Sequence, residues 1–173
     1  MYKIGSIVVY GTEGLCKICD ITERTFGRET REYYVLQPLD NQGETVFVPK
    51  NGEKVLSRMR PILTKNKAEE LLEAPPADYV DWIPNDRERQ QHYKQVLLCG
   101  SGEEILKMTR TLYLHQIKLL EQKKKLHAAD ERLLKEAEKM LFEELAYVFG
   151  ITVEEVLPLI IKRKEKAAAK PSD

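Results

Sequence analysis

The apolar residues of this chain change their period once, near residue 63, and that change limits what the chain can become. Before it they come in short runs of strand character: Ile7-Val8-Val9-Tyr10, then Leu15, Ile18 and Ile21, then Tyr33-Tyr34-Val35-Leu36, then Thr45-Val46-Phe47-Val48. Met59, Pro61 and Ile62 close the set with a fifth short strand. Glycine-bearing turns separate them, around Gly11, Gly27 and Gly43. Short strands at this spacing predict a small antiparallel β-barrel. A barrel of about 60 residues is near the lower limit for folding alone.

After residue 63 the period becomes helical. Thr64 is placed to cap a short helix over 65–73, which must stop before Pro75-Pro76. A linker follows to about residue 85, and four helices are predicted after it. The first covers 86–98 and is ended by Cys99-Gly100. Ser101 and Glu104 form a capping box for the second, about 103–125. The third runs over 128–149 and stops at Gly150. Thr152 and Glu155 cap the fourth, about 153–164. The predicted organisation is a barrel over 1–63, a short helix and linker over 64–85, a helical domain over 86–164 and a frayed tail over 165–173. The fold class is α+β, a small antiparallel β-barrel followed by a compact all-α domain.

The bulk properties exclude several functions. Hydrophobic content of 42% and charged content of 32% suit a soluble, foldable chain. No apolar run approaches the roughly 18 residues that a membrane span needs. The start, MYKIGSIVVYGTEG, does not read as a signal peptide, so the expected location is the cytosol. Cys16, Cys19 and Cys99 are then expected to be free thiols. Cys16 and Cys19 fall in a strand pattern, three residues apart and so on opposite faces. His92, His115 and His127 are scattered, and no metal site is expected. No nucleophile–base arrangement, phosphate-binding glycine loop or dinucleotide motif is present, so neither catalysis nor a cofactor is expected. Net charge is zero, from 28 basic and 28 acidic residues. A protein that binds DNA tightly on its own usually carries a basic surplus.

Two features invite a functional reading. Trp82 is the single tryptophan, in the segment Pro75-Pro76-Ala77-Asp78-Tyr79-Val80-Asp81-Trp82-Ile83-Pro84 between the two modules. It is either a packing anchor or a tool presented to a partner. In the second predicted helix, Ile105, Met108, Leu112, Tyr113, Leu119 and Leu120 share an apolar side. Lys107, Arg110, Lys118 and Lys125 lie opposite, as a solvated face or a row of phosphate contacts. His115, on the apolar side, reads as an interior or boundary histidine. The third predicted helix has the stripe Leu133, Leu134, Ala137, Leu141, Leu145 and Val148.

The order IGSIVVYGTEG, EYYVLQP, TVFVP, then WIPNDRERQQHYK and LHAADERLLKEAEKMLFEELA resembles the CarD/CdnL family of bacterial transcription regulators over about 1–160. The resemblance implies a Tudor-like or SH3-like barrel, similar to the RNA polymerase-interacting domain of transcription-repair coupling factor. It implies docking of that barrel on the polymerase β subunit through an exposed strand edge, with Arg24 at a contact position. Phe47 stands where some members carry a second, basic contact. It implies that Trp82 wedges into promoter DNA at the upstream edge of the melted region. Arg87, Arg89 and Lys94 are its candidate phosphate contacts, joined by Lys107 and Arg110 of the basic helix face. A lysine that other members use in the third-helix region aligns with Glu131. Residues 76–149 hold 12 basic and 13 acidic side chains, so binding to promoter DNA is expected to be non-specific and weak without polymerase. The expected protein is a monomeric, non-enzymatic regulator that stabilises the open promoter complex. The other reading is a protein-interaction module, with Trp82 merely packing the linker.

Overall fold

A computed structural model of the chain describes residues 2–73 and 82–168, with backbone alone for Phe26 and residues 164–168. The expected linker segment 74–81 and the tail residues 169–173 lie outside the described residues. The chain divides into two compact units, Met1–Ile62 and Leu63–Asp173.

The first unit is a five-stranded antiparallel sheet. Its strands are β1 (Ile7–Tyr10), β2 (Leu15–Phe26), β3 (Glu29–Pro38), β4 (Val46–Pro49) and β5 (Met59–Pro61). They lie in the order β4-β3-β2-β1-β5. The sheet is open rather than a hydrogen-bonded barrel, with β4 and β5 as its edges. The segment between them folds into a helical turn, α1 (Glu53–Leu56), and its Val55 and Leu56 pack on the core. Alternation works as expected: Val8, Cys16, Ile18, Tyr34, Leu36, Val48 and Met59 point inward and form the core.

β2 and β3 are much longer than their apolar cores predict. Their outer halves, Thr22–Phe26 and Glu29–Tyr33, pair in register across a two-residue turn at Gly27-Arg28. Gly27 has φ 65°, which a residue with a Cβ adopts only with strain. The hydroxyls of Thr25 and Thr30 bond across the arm at 2.9 Å. This arm projects past β1, which pairs with β2 only at Leu15–Lys17. Cys16 is buried and Cys19 exposed, the opposite faces that the strand pattern required. A bulge between Ile18 and Asp20 shifts the register beyond them.

The second unit has five helices: α2 (Lys65–Glu73), α3 (Asp86–Cys99), α4 (Gly102–Glu121), α5 (Ala128–Phe149) and α6 (Val153–Ala168). α5 is central and packs against each of the other four. Local signals set most of the ends. Thr64 Oγ1 accepts from the Lys67 amide, and Asn85 Oδ1 accepts from the Glu88 amide. Ser101 and Glu104 form the full capping box. Gly150 closes α5 in the left-handed conformation, φ 66°. Gly102 lets α4 start close to Leu63; a Cβ there would come within 2.9 Å of that side chain.

α4 ends at Glu121, not near residue 125. Lys123 adopts φ 58°, and the Lys123 and Lys124 amides turn back onto the Leu120 and Leu119 carbonyls. The predicted apolar side of α4 is only half buried. Ile105, Met108 and Leu112 are in the core, but Tyr113 and Leu120 are 52% and 59% exposed. The stripe on α5 is buried from Leu133 to Leu145. α6 runs to Ala168, past its expected end.

Candidate functional site

The two residues expected at the polymerase contact are brought together. β4 is an edge strand in which Val48 points into the core, so its neighbour Phe47 faces the other way. Arg24 stands on the projecting arm of β2. Its guanidinium carbon lies 3.7 Å over the centre of the Phe47 ring. This cation–π contact joins an exposed arginine to a half-buried aromatic, where such pairs contribute about 0.5–1 kcal/mol. The result is a preformed basic and aromatic surface at the edge of the sheet. On the other face of the sheet Lys50 pairs with Glu32 at 2.9 Å, its ammonium 5.7 Å from the Tyr34 ring centre.

The residues expected at DNA are dispersed. Arg87 and Lys94 are exposed on α3 and, seven residues apart, share one side of it. Lys107 is paired with Glu103 at 2.9 Å. Arg110 donates to the Leu71 carbonyl at 3.1 Å, satisfying an acceptor at the end of α2. Glu131 pairs with Lys135 at 3.0 Å.

Arg89 is the clear correction. It is 2% exposed and turned inward, so it is not a surface phosphate contact. Nε donates to Asp130 Oδ1 at 3.1 Å and Nη2 to Asp130 Oδ2 at 2.5 Å. Nη2 also reaches Asp86 at 2.7 Å, and Nη1 donates to the Ile83 carbonyl at 2.9 Å. Burial alone would disfavour the charge. The hydrogen bonds that Arg89 donates to Asp130 and Asp86 outweigh it and raise the Arg89 pKa. The same bond holds the exposed Asp86 carboxyl below its ordinary range.

That inward arginine carries Trp82. Its guanidinium carbon is 4.2 Å from the indole centre. The imidazole of His115, from α4, stacks on the indole with ring centres 3.5 Å apart and planes 11° apart. Trp82 is half-buried, and among the described residues its ring meets the Arg89 guanidinium and the His115 imidazole. A cavity of about 250 Å³ lies beside it, lined in part by Lys125, His127 and Asp130. Burial, and then the Arg89 charge, lower the His115 pKa, which favours the neutral form of the stacked ring. Sequence reasoning missed Asp130. It lies 41 positions from Arg89, and its place in the first turn of α5 explained it locally.

Elsewhere, burial pushes the Cys16 thiol up to about 12. No cluster of His, Cys, Asp or Glu suited to a metal ion occurs among the described residues. No helix among them is long and apolar enough to cross a membrane.

Comparison with known proteins fits this division. Residues 2–62 match the CarD-like/TRCF RID domain, and residues 67–160 match the CarD C-terminal domain. The chain belongs to the CarD-like family. CarD-like proteins are transcription regulators, generally non-enzymatic, and their N-terminal domain is an RNA polymerase-interacting domain. The boundary between the two matches falls at the junction of the two structural units. The chain is also similar to the Bacillus subtilis (strain 168) protein "Putative transcription factor YdeB". Identity is 25% over 157 residues, covering 90% of this chain and 97% of that one.

Proposed function

We propose that this CarD-like regulator docks its N-terminal sheet on the β subunit of RNA polymerase and steadies the open promoter complex with its helical unit. The observation that carries the docking half is the Arg24–Phe47 pair. An arginine held over an aromatic ring has lost part of its rotational freedom before binding. Arginine and aromatic residues are also the commonest energetic anchors of interfaces. The polymerase contact then includes Arg24 and Phe47, on the arm of β2 and the edge strand β4.

The DNA half rests on Trp82, with Arg87 and Lys94 as exposed cations on α3. An apolar wedge acts where a base step is already opening, so its effect belongs in the lifetime of the open complex. Phosphate contacts carry no sequence information, so promoter contact is non-specific. With 12 basic and 13 acidic residues over 76–149, the helical unit relies on polymerase to bring it to DNA. The protein acts as a monomer.

A second reading is supported by Trp82 itself, whose ring is occupied by His115 and Arg89. In that reading the indole packs its own segment, and the helical unit binds a protein. One experiment separates the two: the full chain and its Arg24→Glu and Trp82→Ala variants, tested for β-subunit retention and open-complex lifetime with the cognate polymerase. Arg24→Glu weakens β binding by about tenfold or more, equivalent to about 1.4 kcal/mol. Its melting temperature stays near that of the parent, since the exposed pair contributes little. Trp82→Ala shortens the lifetime and leaves β binding intact. Unchanged decay with Trp82→Ala would put the protein-interaction reading ahead.

A further inference from the structure

The contacts on Trp82 differ in strength, and the difference has a mechanical meaning. Arg89 is fixed. It is gripped at two points by Asp130 from α5 and tied to the Ile83 carbonyl next to the tryptophan. Its position is therefore set from two sides, by α5 and by the segment that leads into α3, and it anchors the backbone that carries the indole. His115 is different. It is half-buried, and it meets Trp82 through a nearly parallel stack at 3.5 Å. A neutral aromatic stack is a modest interaction, and any other flat π system can replace it. While His115 covers that ring face, no base can occupy it.

We propose that Arg89 and His115 are positioning residues that hold the Trp82 indole in a stored position on α3 and α4, and that the indole engages DNA only by leaving the His115 ring. This rests on the reading that Trp82 acts at melted promoter DNA. Asp130 is the anchor of the fixed side and His115 is the side that lets go. Storage protects an otherwise exposed apolar ring in the free protein, and its release is easily offset by stacking on an unpaired step.

The chain has one tryptophan, so its fluorescence reports this residue alone. The test uses the full-length protein and its His115→Ala, His115→Phe and Trp82→Ala variants, each checked for folding by circular dichroism. In the free protein, His115→Ala shifts Trp82 emission to longer wavelength and raises its quenching by acrylamide. With the cognate polymerase and promoter, the same variant lengthens the open-complex lifetime by up to about fivefold, the factor equivalent to about 1 kcal/mol of lost stacking. His115→Phe, which restores a stacking ring, returns both readouts towards the parent. Unmoved emission and quenching in His115→Ala overturn the stored position, while leaving the DNA role of Trp82 intact if Trp82→Ala still shortens the lifetime. Altered fluorescence with an unchanged or shortened lifetime overturns the release step. An unchanged lifetime in Trp82→Ala removes the DNA role on which the proposal stands, whatever the fluorescence does.

Discussion

Replacing Asp130 with asparagine is the sharpest stability test of the helical unit. The side chains of Arg89 and Asp130 are 2% and 1% exposed, so the guanidinium depends on this carboxylate for its buried counter-charge. Asparagine keeps the volume. It offers one oxygen acceptor where the carboxylate offered two, and it carries no charge. Removing one partner of a buried pair costs about 3–5 kcal/mol, because an uncompensated charge stays behind. Asp86 and the Ile83 carbonyl still hold Arg89, and Asp86 is 61% exposed, so the lower end applies, about 3 kcal/mol. A domain of this size loses roughly 4 °C of melting temperature per kcal/mol, which gives a fall of about 12 °C. Thermal unfolding followed by circular dichroism measures it. The control is the double variant Arg89→Met/Asp130→Leu, which removes both charges together. It recovers at least half of the loss, since replacing a whole buried pair by apolar groups is close to neutral. A fall below about 3 °C for Asp130→Asn, or a double variant equal to the sum of its singles, would refute the buried-pair reasoning.

Two further outcomes follow from the titrating groups. The His115 pKa is lowered by burial and by the neighbouring Arg89, with Lys118 adding to it and Asp130 opposing it; Asp86, Lys125 and His127 share the same cavity. Below the unfolded value of about 6.5 the unfolded chain therefore binds the proton more readily, so stability falls as pH drops through that value towards the lower folded pKa. This loss is absent in His115→Phe, as chemical denaturation between pH 7.5 and 5 would show, and an unaltered pH profile in that variant counts against it. Cys16 and Cys19 should separate in native alkylation near pH 8. Cys19 is exposed and reacts, whereas buried Cys16, with its thiol pushed up to about 12, reacts only on unfolding; equal labelling by peptide mass spectrometry would contradict the burial of Cys16.

Helix ends and strand faces were legible in the residue order because their causes are local. Thr64, Ser101 with Glu104, and Gly150 act within about one turn of the backbone they cap, so their spacing alone carries the signal. The inward residues of β1 and β3 follow from alternation, and the division of the chain follows from the change of period near residue 63. A turn around Gly27 was legible too, though neither its two-residue length nor that of the paired arm on either side of it. Thr, Glu and Arg pair across that arm without an apolar pattern to announce them.

What only the tertiary structure decided is where charge and aromatic surface ended up. Arg87, Arg89 and Lys94 look alike as cations near a tryptophan, yet Arg89 alone is inward, because Asp130 arrives from α5 to compensate it. Desolvation makes that choice, and it depends on a partner 41 positions away that no local pattern reveals. Tyr113 and Leu120 carry the same apolar spacing as Met108 and Leu112, but among the described residues no neighbouring helix covers them to the same depth. Arg24 and Phe47 belong to separate strands, and only the pairing of β2 with β3 and of β3 with β4 lays one on the other. Periodicity tells which face of an element is apolar; contacts between distant segments decide which polar group loses its water and which aromatic keeps it.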